Sequence, residues 1–351
     1  MRKTAIILAY ILLSITLILL SSWGTLALFY ANTSHEVIRY GIAFFFALLS
    51  LVTLVTLMAQ KFHRQALVLY ALSWILLLVW YSTVQPSNHR EWQKDVAILP
   101  YATQNENNVT LFNIRNFHYR SEMDFTPNYY DKSFDLAKLN GVDLITVYWM
   151  GPSVAHVFVS FSFEDGEHLA VSIETRKEKG EAYSTLKGLF RQYELSYVVA
   201  DERDVIGLRT NHRFNPIEDV YIYPMAGSRE DAQKLFLAYI EKINILHEHP
   251  EFYNTLTTNC TTNIWMNADS SIERLPISWK ILVSGYVPEY LHENNRLLTN
   301  SLNFEALREH VHVNQRALDA GVKENFSYEI RKNSNTTIEP TQTRSKHIPT
   351  R

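Results

Sequence analysis

The sequence predicts an α+β protein, in which three N-terminal transmembrane helices precede one domain outside the cytoplasm. Two patterns lead to this prediction. The long apolar runs are concentrated before about residue 84 of the 351, and the remainder is charged and rich in aromatic residues. In that remainder, most strand-like segments come before the helical ones, which is the order typical of an α+β fold.

The predicted spans are three apolar stretches of about 19 residues or more: 4–30, 37–58 and 66–84. About 20 helical residues cross the hydrocarbon core of a bilayer, so each stretch is long enough to span it. Lysine and arginine favour the cytoplasmic side, and a cytoplasmic N-terminus places Arg2, Lys3, Lys61 and Arg64 there. Three crossings then put the rest of the chain outside the cytoplasm. No ionisable residue lies in the middle of a span, which favours a plain anchor over a transport pathway.

The sequence divides into four predicted parts. They are an anchor at 1–84, a tether at 85–94, a catalytic domain at 95–322 and a disordered tail at 323–351, which is polar and has no apolar period.

Composition limits the partners and cofactors that can be expected. A formal charge of −3 gives no reason to expect a nucleic-acid partner. The single cysteine excludes an intramolecular disulfide and a cysteine-based zinc site, and no metal or cofactor is predicted.

Local patterns predict the elements of the exported domain. The strand-like segments are 109–114, 144–149, 154–163, 169–175, 197–200, 205–208 and 220–223. The helical segments are 184–194, 228–247 and 303–318. The second helix has the clearest start, because Ser228 and Asp231 are spaced as an N-cap pair.

Residues 154–175 are predicted to form a hairpin that carries a histidine. The loop 164–166 ends in Gly166, which suits the left-handed position of a three-residue turn. This register sets His156 opposite Glu174, where a carboxylate can orient an imidazole as a general base. The two faces alternate: Val157, Val159, Phe161, Phe163, Leu169, Val171 and Ile173 on the apolar one, and His156, Ser160, Ser162, His168, Ser172 and Glu174 on the polar one. The alternative is that the polar face is simply solvated.

Cys260 lies in a threonine- and asparagine-rich segment that precedes a short helical stretch. Asn259 and its neighbours are typical N-cap residues, so the thiol is predicted in the first turn of a helix. There the helix dipole and a nearby imidazolium lower a thiol pKa, and unpaired N–H groups can bind an oxyanion. We therefore predict that Cys260 is a nucleophile with His156 as its base and Glu174 as the third residue, with His168 as a weaker choice. A small buried structural thiol is the alternative.

Several motifs resemble those of the extracytoplasmic domain of Lnb-type bacterial lipoprotein N-acyltransferases. They are 113–117 (NIRNF), 124–127 (DFTP) with 129–131 (YYD), 172–178 (SIETRKE), 190–194 (FRQYE) and 257–263 (TTNCTTN). The resemblance covers about residues 92–317, and the motif around Cys260 is the most specific. The family is similar to circularly permuted papain-like proteins of the NlpC/P60 and lecithin:retinol acyltransferase kind. In these, the strand histidine precedes the helix cysteine, as His156 precedes Cys260.

The resemblance implies acyl transfer through a Cys260 thioester, from a phospholipid to an amine at a lipoprotein N-terminus. It also implies a multi-pass protein of the bacterial inner membrane with its catalytic domain on the periplasmic side. This chain departs from the characterised members of the family by its three-span anchor. The rivals are a cell-wall cysteine amidase or peptidase and a non-catalytic envelope binding module. Substrate binding is predicted for Arg115, Arg176, Arg191 and Asn259, with a solvated charged face as the alternative for the arginines.

Overall fold

The computed structural model describes residues 2–31, 35–271, 275–276, 278–321 and 323–332. Its contacts divide the chain into two compact units. The first contains residues 1–90, 181–194 and 251–255, and the second contains 91–180, 195–250 and 256–351.

The first unit begins with three helices, each long and apolar enough to cross a membrane: α1 (Arg2–Tyr30), α2 (Glu36–Ala59) and α3 (His63–Thr83). The predicted apolar stretches are thus confirmed as helices. Gly24 lets them pack closely, because a Cβ there would meet the ring of Phe46 at 2.7 Å and Leu77 at 3.1 Å. The rings of Trp23 and Trp74 stack at 5.7 Å in the same cluster.

Residues 181–194 also belong to the first unit, where a helix was predicted at 184–194. That prediction was wrong: the segment has only a 3₁₀ turn, Lys187–Leu189, and a strand starts at Glu194. Its apolar and basic side chains contact α1 and the end of α3. The ring of Phe190 lies 6.2 Å from that of Trp23, and Arg191 donates to the carbonyls of Tyr81 (2.6 Å) and Val84 (3.0 Å).

The second unit is built on a mixed sheet. Its strands are β1 (Tyr101–Asn105), β2 (Asn108–Arg115), β3 (His118–Tyr119), β4 (Phe125–Thr126), β5 (Tyr129–Asp135), β6 (Leu139–Tyr148), β7 (Ala155–Phe163), β8 (His168–Arg176), β9 (Glu194–Ala200) and β10 (Asp219–Pro224). The order is β1-β2-β9-β8-β7-β6-β10, with β5 also paired to β2 and β3-β4 as a separate pair. β2 and β9 run parallel, and the central strands β6, β7 and β8 are antiparallel.

Helices follow or interrupt the strands: α4 (Glu202–Asn211), α5 (Arg229–Glu248), α6 (Cys260–Ser271), α7 (Trp279–Leu282), α8 (Val287–Glu293), α9 (Phe304–His310), α10 (Asn314–Ala320) and α11 (Phe326–Glu329). α5 packs on the apolar face of the hairpin, where Phe161 meets Phe236 at 5.0 Å between ring centroids. Its predicted capping box is confirmed, with Ser228 and Asp231 bonded reciprocally. In the described part of the chain, three apolar helices are thus followed in sequence by an α+β domain.

The predicted hairpin register is confirmed. Phe163 donates to the carbonyl of Glu167 at 2.9 Å, and β7 and β8 pair from Ser162↔His168 to Val159↔Val171. The solvated alternative for its polar face was wrong. Ser160 and Ser172 have no solvent exposure, because α4, α10 and α11 cover this face with a second apolar core.

That second core explains three other differences. Residues 205–208, predicted as a strand, lie in α4, because a four-residue apolar run fits a buried helix as well as a strand. The helix predicted at 303–318 is two helices, interrupted where Val311 and Val313 bond to β10. The predicted tail is not disordered at 323–332, since Phe326 and Ile330 are buried in this core. Residues 333–351 lie outside the described residues.

The predicted tether at 85–94 is also partly folded. Trp92 is buried and forms a bridge with Glu178, and Gln93 donates to the carbonyl of Lys177 at 2.9 Å. The second unit therefore begins at Glu91, only eight residues after the last helix of the anchor ends at Thr83.

Candidate active site

Cys260 is the first residue of α6, as the N-cap pattern predicts. The start of the helix is fixed by a reciprocal pair: the Thr262 amide donates to Asn259 Oδ1 at 2.9 Å, and the Asn259 amide donates to Thr262 Oγ1 at 2.9 Å. The thiol is half-buried at this position, and its Sγ lies 3.8 Å from Thr261 Oγ1. The thiol is therefore held near the positive end of the α6 dipole, which favours a thiolate.

His156, near the start of β7, lies close enough to the Cys260 thiol to lower its pKa, and the backbone amide of Val157 acts on the sulfur in the same direction. Burial disfavours the thiolate, but the effect of His156 outweighs it, so the pKa of Cys260 lies below its ordinary value. The structure thus brings together a thiol and an imidazole that are 104 positions apart in the chain (260 − 156).

On the other side of the ring, His156 Nε2 lies 2.7 Å from Ser172 Oγ and 3.2 Å from Glu174 Oε1. Burial opposes the imidazolium, but the Glu174 carboxylate more than compensates and raises the pKa of His156 to about 9. Burial would raise the pKa of Glu174, yet the His156 charge and hydrogen bonds hold it well below its ordinary value. The carboxylate and the imidazole are therefore a coupled pair in which both charged forms are favoured.

Two members of this cluster were missed from the sequence. Ser172 donates to Glu174 Oε1 at 2.7 Å, and Arg209 Nη2 lies 3.2 Å from the same oxygen. Ser172 could have been found, because it lies two residues from Glu174 on the same face of β8. Arg209 could not, because it is on α4, where part of the helix was predicted to be a strand.

His168, the weaker choice for the third residue, lies at the turn end of the hairpin, away from His156. Its Nδ1 is 3.1 Å from the carbonyl of Gly166. Burial lowers its pKa, and its charged neighbours are Arg331, Glu202 and Asp143. His168 therefore does not replace Glu174 as the residue that orients His156.

The residues predicted to bind substrate all have contacts within the fold, and their binding of substrate stays a prediction. Arg115 is buried and bonded to Asp204 at 2.7 Å. Arg176 is buried over the ring of Trp92 and donates to two backbone carbonyls. Arg191 holds the end of α3, and Asn259 caps α6. All four side chains position backbone elements.

A cavity of about 1660 Å³ lies beside the start of α6. Thr261, Ile264, Trp265 and Ala268 line it from one face of this helix, and Val157 lines it from β7. Other apolar lining residues come from β6, α5, α7 and α8: Leu144, Leu235, Ile281, Val287 and Leu291. Neither Cys260 nor His156 lines the cavity, but both have an immediate chain neighbour that does.

Residues 125–285 match the family model of the Lnb N-terminal periplasmic domain, and this range includes His156, Glu174 and Cys260. The searches of curated proteins and of solved structures found no match. The match supports the resemblance to the Lnb family over the range that contains the candidate site. Together with the three apolar helices, it indicates a membrane protein that carries a domain similar to the Lnb N-terminal periplasmic domain.

Proposed function

We propose that the chain is a membrane-anchored cysteine acyltransferase. Cys260 would carry an acyl chain as a thioester between a phospholipid donor and an amine acceptor, the N-terminus of a lipoprotein. The observation that carries this proposal is the placement of the Cys260 thiol, at the start of α6, beside His156, whose Nε2 lies within bonding distance of Ser172 and Glu174. A thiol with these partners has the features of an activated nucleophile.

In the first half-reaction, His156 Nδ1 accepts the thiol proton, because Nε2 is already bonded. The Cys260 thiolate attacks the carbonyl carbon of a lipid ester and forms the S–C bond. The ester C–O bond then breaks, and the His156 imidazolium gives its proton to the departing alkoxide, which leaves as a lyso-lipid. The product on the protein is an acyl thioester.

The tetrahedral intermediate of this step carries an oxyanion, and the start of α6 offers amides to bind it. The amides of Thr262 and Asn263 are engaged by Asn259. The amides of Cys260 and Thr261 come before them in the first turn, where helical N–H groups have no partner in the helix. We assign the oxyanion to these two donors, which also lie at the positive end of the helix dipole.

In the second half-reaction, a neutral amine attacks the thioester carbonyl. The C–N bond forms, the C–S bond breaks, and His156 takes the amine proton that finally returns to Cys260. The acyl chain is then an amide on the acceptor, and the thiol is restored. Each turnover therefore needs only the donor lipid and the acceptor amine, with no cofactor.

The cavity beside α6 has a mixed lining, because Asp143, Glu164 and Arg229 line parts of it. The part formed by α6 is mostly apolar (Ile264, Trp265 and Ala268), and this part supports an acyl chain over the polar peptide of a cell-wall amidase. Its lining residues on α6 follow the spacing of a single helix face that begins next to Cys260. The anchor also suits a lipid donor, because only seven residues, 84–90, separate the end of α3 from the start of the second unit. We place the protein in the bacterial inner membrane as a multi-pass protein with its site on the periplasmic side.

Mass spectrometry of lipoprotein N-termini tests this function in cells. Cells that lack the gene should lose N-acylated termini, and the wild-type gene should restore them. The Cys260→Ala variant should not restore them, whereas Met266→Ala should, because Met266 lies on the same helix but is exposed. Restoration by Cys260→Ala would contradict the proposal and favour a binding module. Unchanged lipoproteins with altered cell-wall fragments would favour the amidase.

A further inference from the structure

We propose that Ser172 is a positioning residue that relays the hydrogen bond from His156 to Glu174, and so fixes which ring nitrogen faces Cys260. The inference rests on the proposed function only in taking Cys260 as the nucleophile. It concerns the protonation of the site, so it does not depend on the identity of donor or acceptor.

The three polar groups form a compact triangle. Ser172 Oγ lies 2.7 Å from His156 Nε2 and 2.7 Å from Glu174 Oε1. The direct contact between His156 Nε2 and Glu174 Oε1 is longer, at 3.2 Å. Ser172 is fully buried, so no solvent water competes for its hydroxyl. By distance, the path through the hydroxyl is stronger than the direct one.

The chemistry of the groups determines the direction of each bond. An ionised carboxylate can only accept hydrogen bonds, so the Ser172 hydroxyl must donate to Glu174. Its lone pairs are then left to accept from His156, which requires the ring proton to be on Nε2. In the neutral imidazole, Nδ1 therefore carries the lone pair that receives the thiol proton. Ser172 selects the tautomer that the proposed reaction needs.

The carboxylate end of this relay is held by charge. The Arg209 guanidinium is buried and lies between Glu174 and Glu218, with distances of 3.2 Å and 3.4 Å. Arg213 neutralises the other oxygen of Glu218 at 3.2 Å. Arg209 therefore favours the ionised form of Glu174, which is the form the relay requires.

Charged groups reach His156 from each neighbouring element. Glu174 acts from β8, Arg209 from α4 and Cys260 from α6. Glu174 and the Cys260 thiolate stabilise the imidazolium, and Arg209 opposes it. Removing the Ser172 hydroxyl leaves these charges in place, so its effect can be separated from the loss of a charge.

The test is the rate of Cys260 alkylation by iodoacetamide as a function of pH, in the full-length protein in lipid nanodiscs. Ser172→Ala should move the midpoint of thiolate reactivity upward by about one unit. One unit below the wild-type midpoint, alkylation should therefore be about tenfold slower. Ser160→Ala is the matched control, because it removes an equally buried hydroxyl from the same hairpin, away from His156. Its profile should match the wild type.

The isosteric pair Ser172→Thr and Ser172→Val separates the hydroxyl from packing. The first should keep the wild-type profile and the second should behave as Ser172→Ala. Coincident profiles for the wild type, Ser172→Ala and Ser172→Val would overturn the relay. If these variants do not fold, nitrogen NMR of His156 in the wild-type chain decides, because a neutral ring with its proton on Nδ1 contradicts the proposal. Alkylation needs no acyl donor, so a failed acyl transfer would not count against the relay.

Discussion

The Glu174 carboxylate contacts three side chains: His156, Ser172 and Arg209. Its folded-state pKa is depressed, so its contribution to stability is present above the ordinary carboxyl pKa and is lost as the pH falls through the folded value. The pKa of His156 is raised from 6.5 to about 9, so its contribution is complete below about 6.5 and is lost as the pH rises toward 9. The pair therefore stabilises the fold most between these limits.

Glu174→Gln should slow Cys260 alkylation about tenfold or more below the wild-type midpoint. The neutral amide no longer stabilises the imidazolium, so the pKa of His156 falls and that of Cys260 rises. The rate should be measured across pH with iodoacetamide. Glu167→Gln is the control, because Glu167 lies at the turn of the same hairpin and contacts Lys132. An unchanged profile in Glu174→Gln would remove Glu174 from the site.

For single residues of the site, the sequence predicted those whose position depends on a nearby turn or helix cap. The hairpin turn determines the register, so His156 and Glu174 could be placed together from the loop 164–166 alone. The cap pattern likewise placed Cys260 at a helix start. Arg209 was missed because its role depends on which face of the sheet α4 covers. Buried ion pairs join distant segments, which local spacing does not reveal.

Asn259 connects the residue to its element, because its side chain caps α6. Asn259→Ala should cost about 1 kcal/mol of unfolding free energy and also slow alkylation of Cys260, since the first turn that holds the thiol loosens. Ser228→Ala removes the cap of α5 and should cost a similar amount without changing the alkylation rate. Denaturant unfolding and iodoacetamide kinetics check both variants. Equal alkylation rates in the two variants would contradict this role of the α6 cap.

The last described helix, α11, is followed by Arg331, which holds this end of the described chain by bonds to Asp143 and Glu202 at 2.6 Å each. Arg331→Met should destabilise the protein on the order of 3 kcal/mol, because two buried carboxylates lose their cation. Lys332→Met is the control, since Lys332 is half exposed and its contact with Glu329 is 3.7 Å. The unfolding free energies should be compared near neutral pH. An equal effect of both substitutions would contradict the buried role of Arg331.

The ion pair between Arg331 and Glu202 should also make the stability of the protein depend on pH. Burial would raise the pKa of Glu202, but Arg331 lowers it from 4.5 to about 2. Its contribution to stability is therefore present above about 4.5 and is lost as the pH falls toward 2. Wild-type stability should decline through this window, and the decline should be shallower in Arg331→Met.

Apart from residues 184–194, the elements that were wrongly predicted are those decided by the second core. An apolar run of four residues at 205–208 carries no period that separates strand from helix, and burial on the sheet made it part of α4. The polar composition after residue 323 predicted disorder, yet Phe326 and Ile330 supply enough apolar surface to dock a short helix. The long helix α5 was predicted correctly, because its cap and its period agree.

At the scale of the whole molecule, three apolar helices precede a domain similar to the Lnb N-terminal periplasmic domain. The apolar runs were sufficient to predict the anchor, because length and hydropathy alone determine whether a helix can span a bilayer. The domain boundary was less accurate, since residues 181–194 and 251–255 cluster with the anchor through contacts that no local pattern encodes.

Orientation is the prediction that belongs to this scale. A reporter that is active only outside the cytoplasm should be active when fused after Lys332, which keeps α11 intact. The same reporter should be silent when fused between residues 60 and 64, on the side where lysine and arginine are expected to remain. The reverse pattern would show that the domain faces the cytoplasm, and the periplasmic assignment would fail.

The central claim, that Cys260 is an acyl-carrying nucleophile, is tested most directly by intact-mass spectrometry of the full-length protein after incubation with phospholipid vesicles and no acceptor. The account predicts a mass increase of one acyl chain that maps to Cys260 and is removed by hydroxylamine. It should be absent in Cys260→Ser, suppressed in His156→Ala and present in Met266→Ala. A folded wild-type protein that forms no adduct, or an adduct that persists in Cys260→Ser, would contradict the claim.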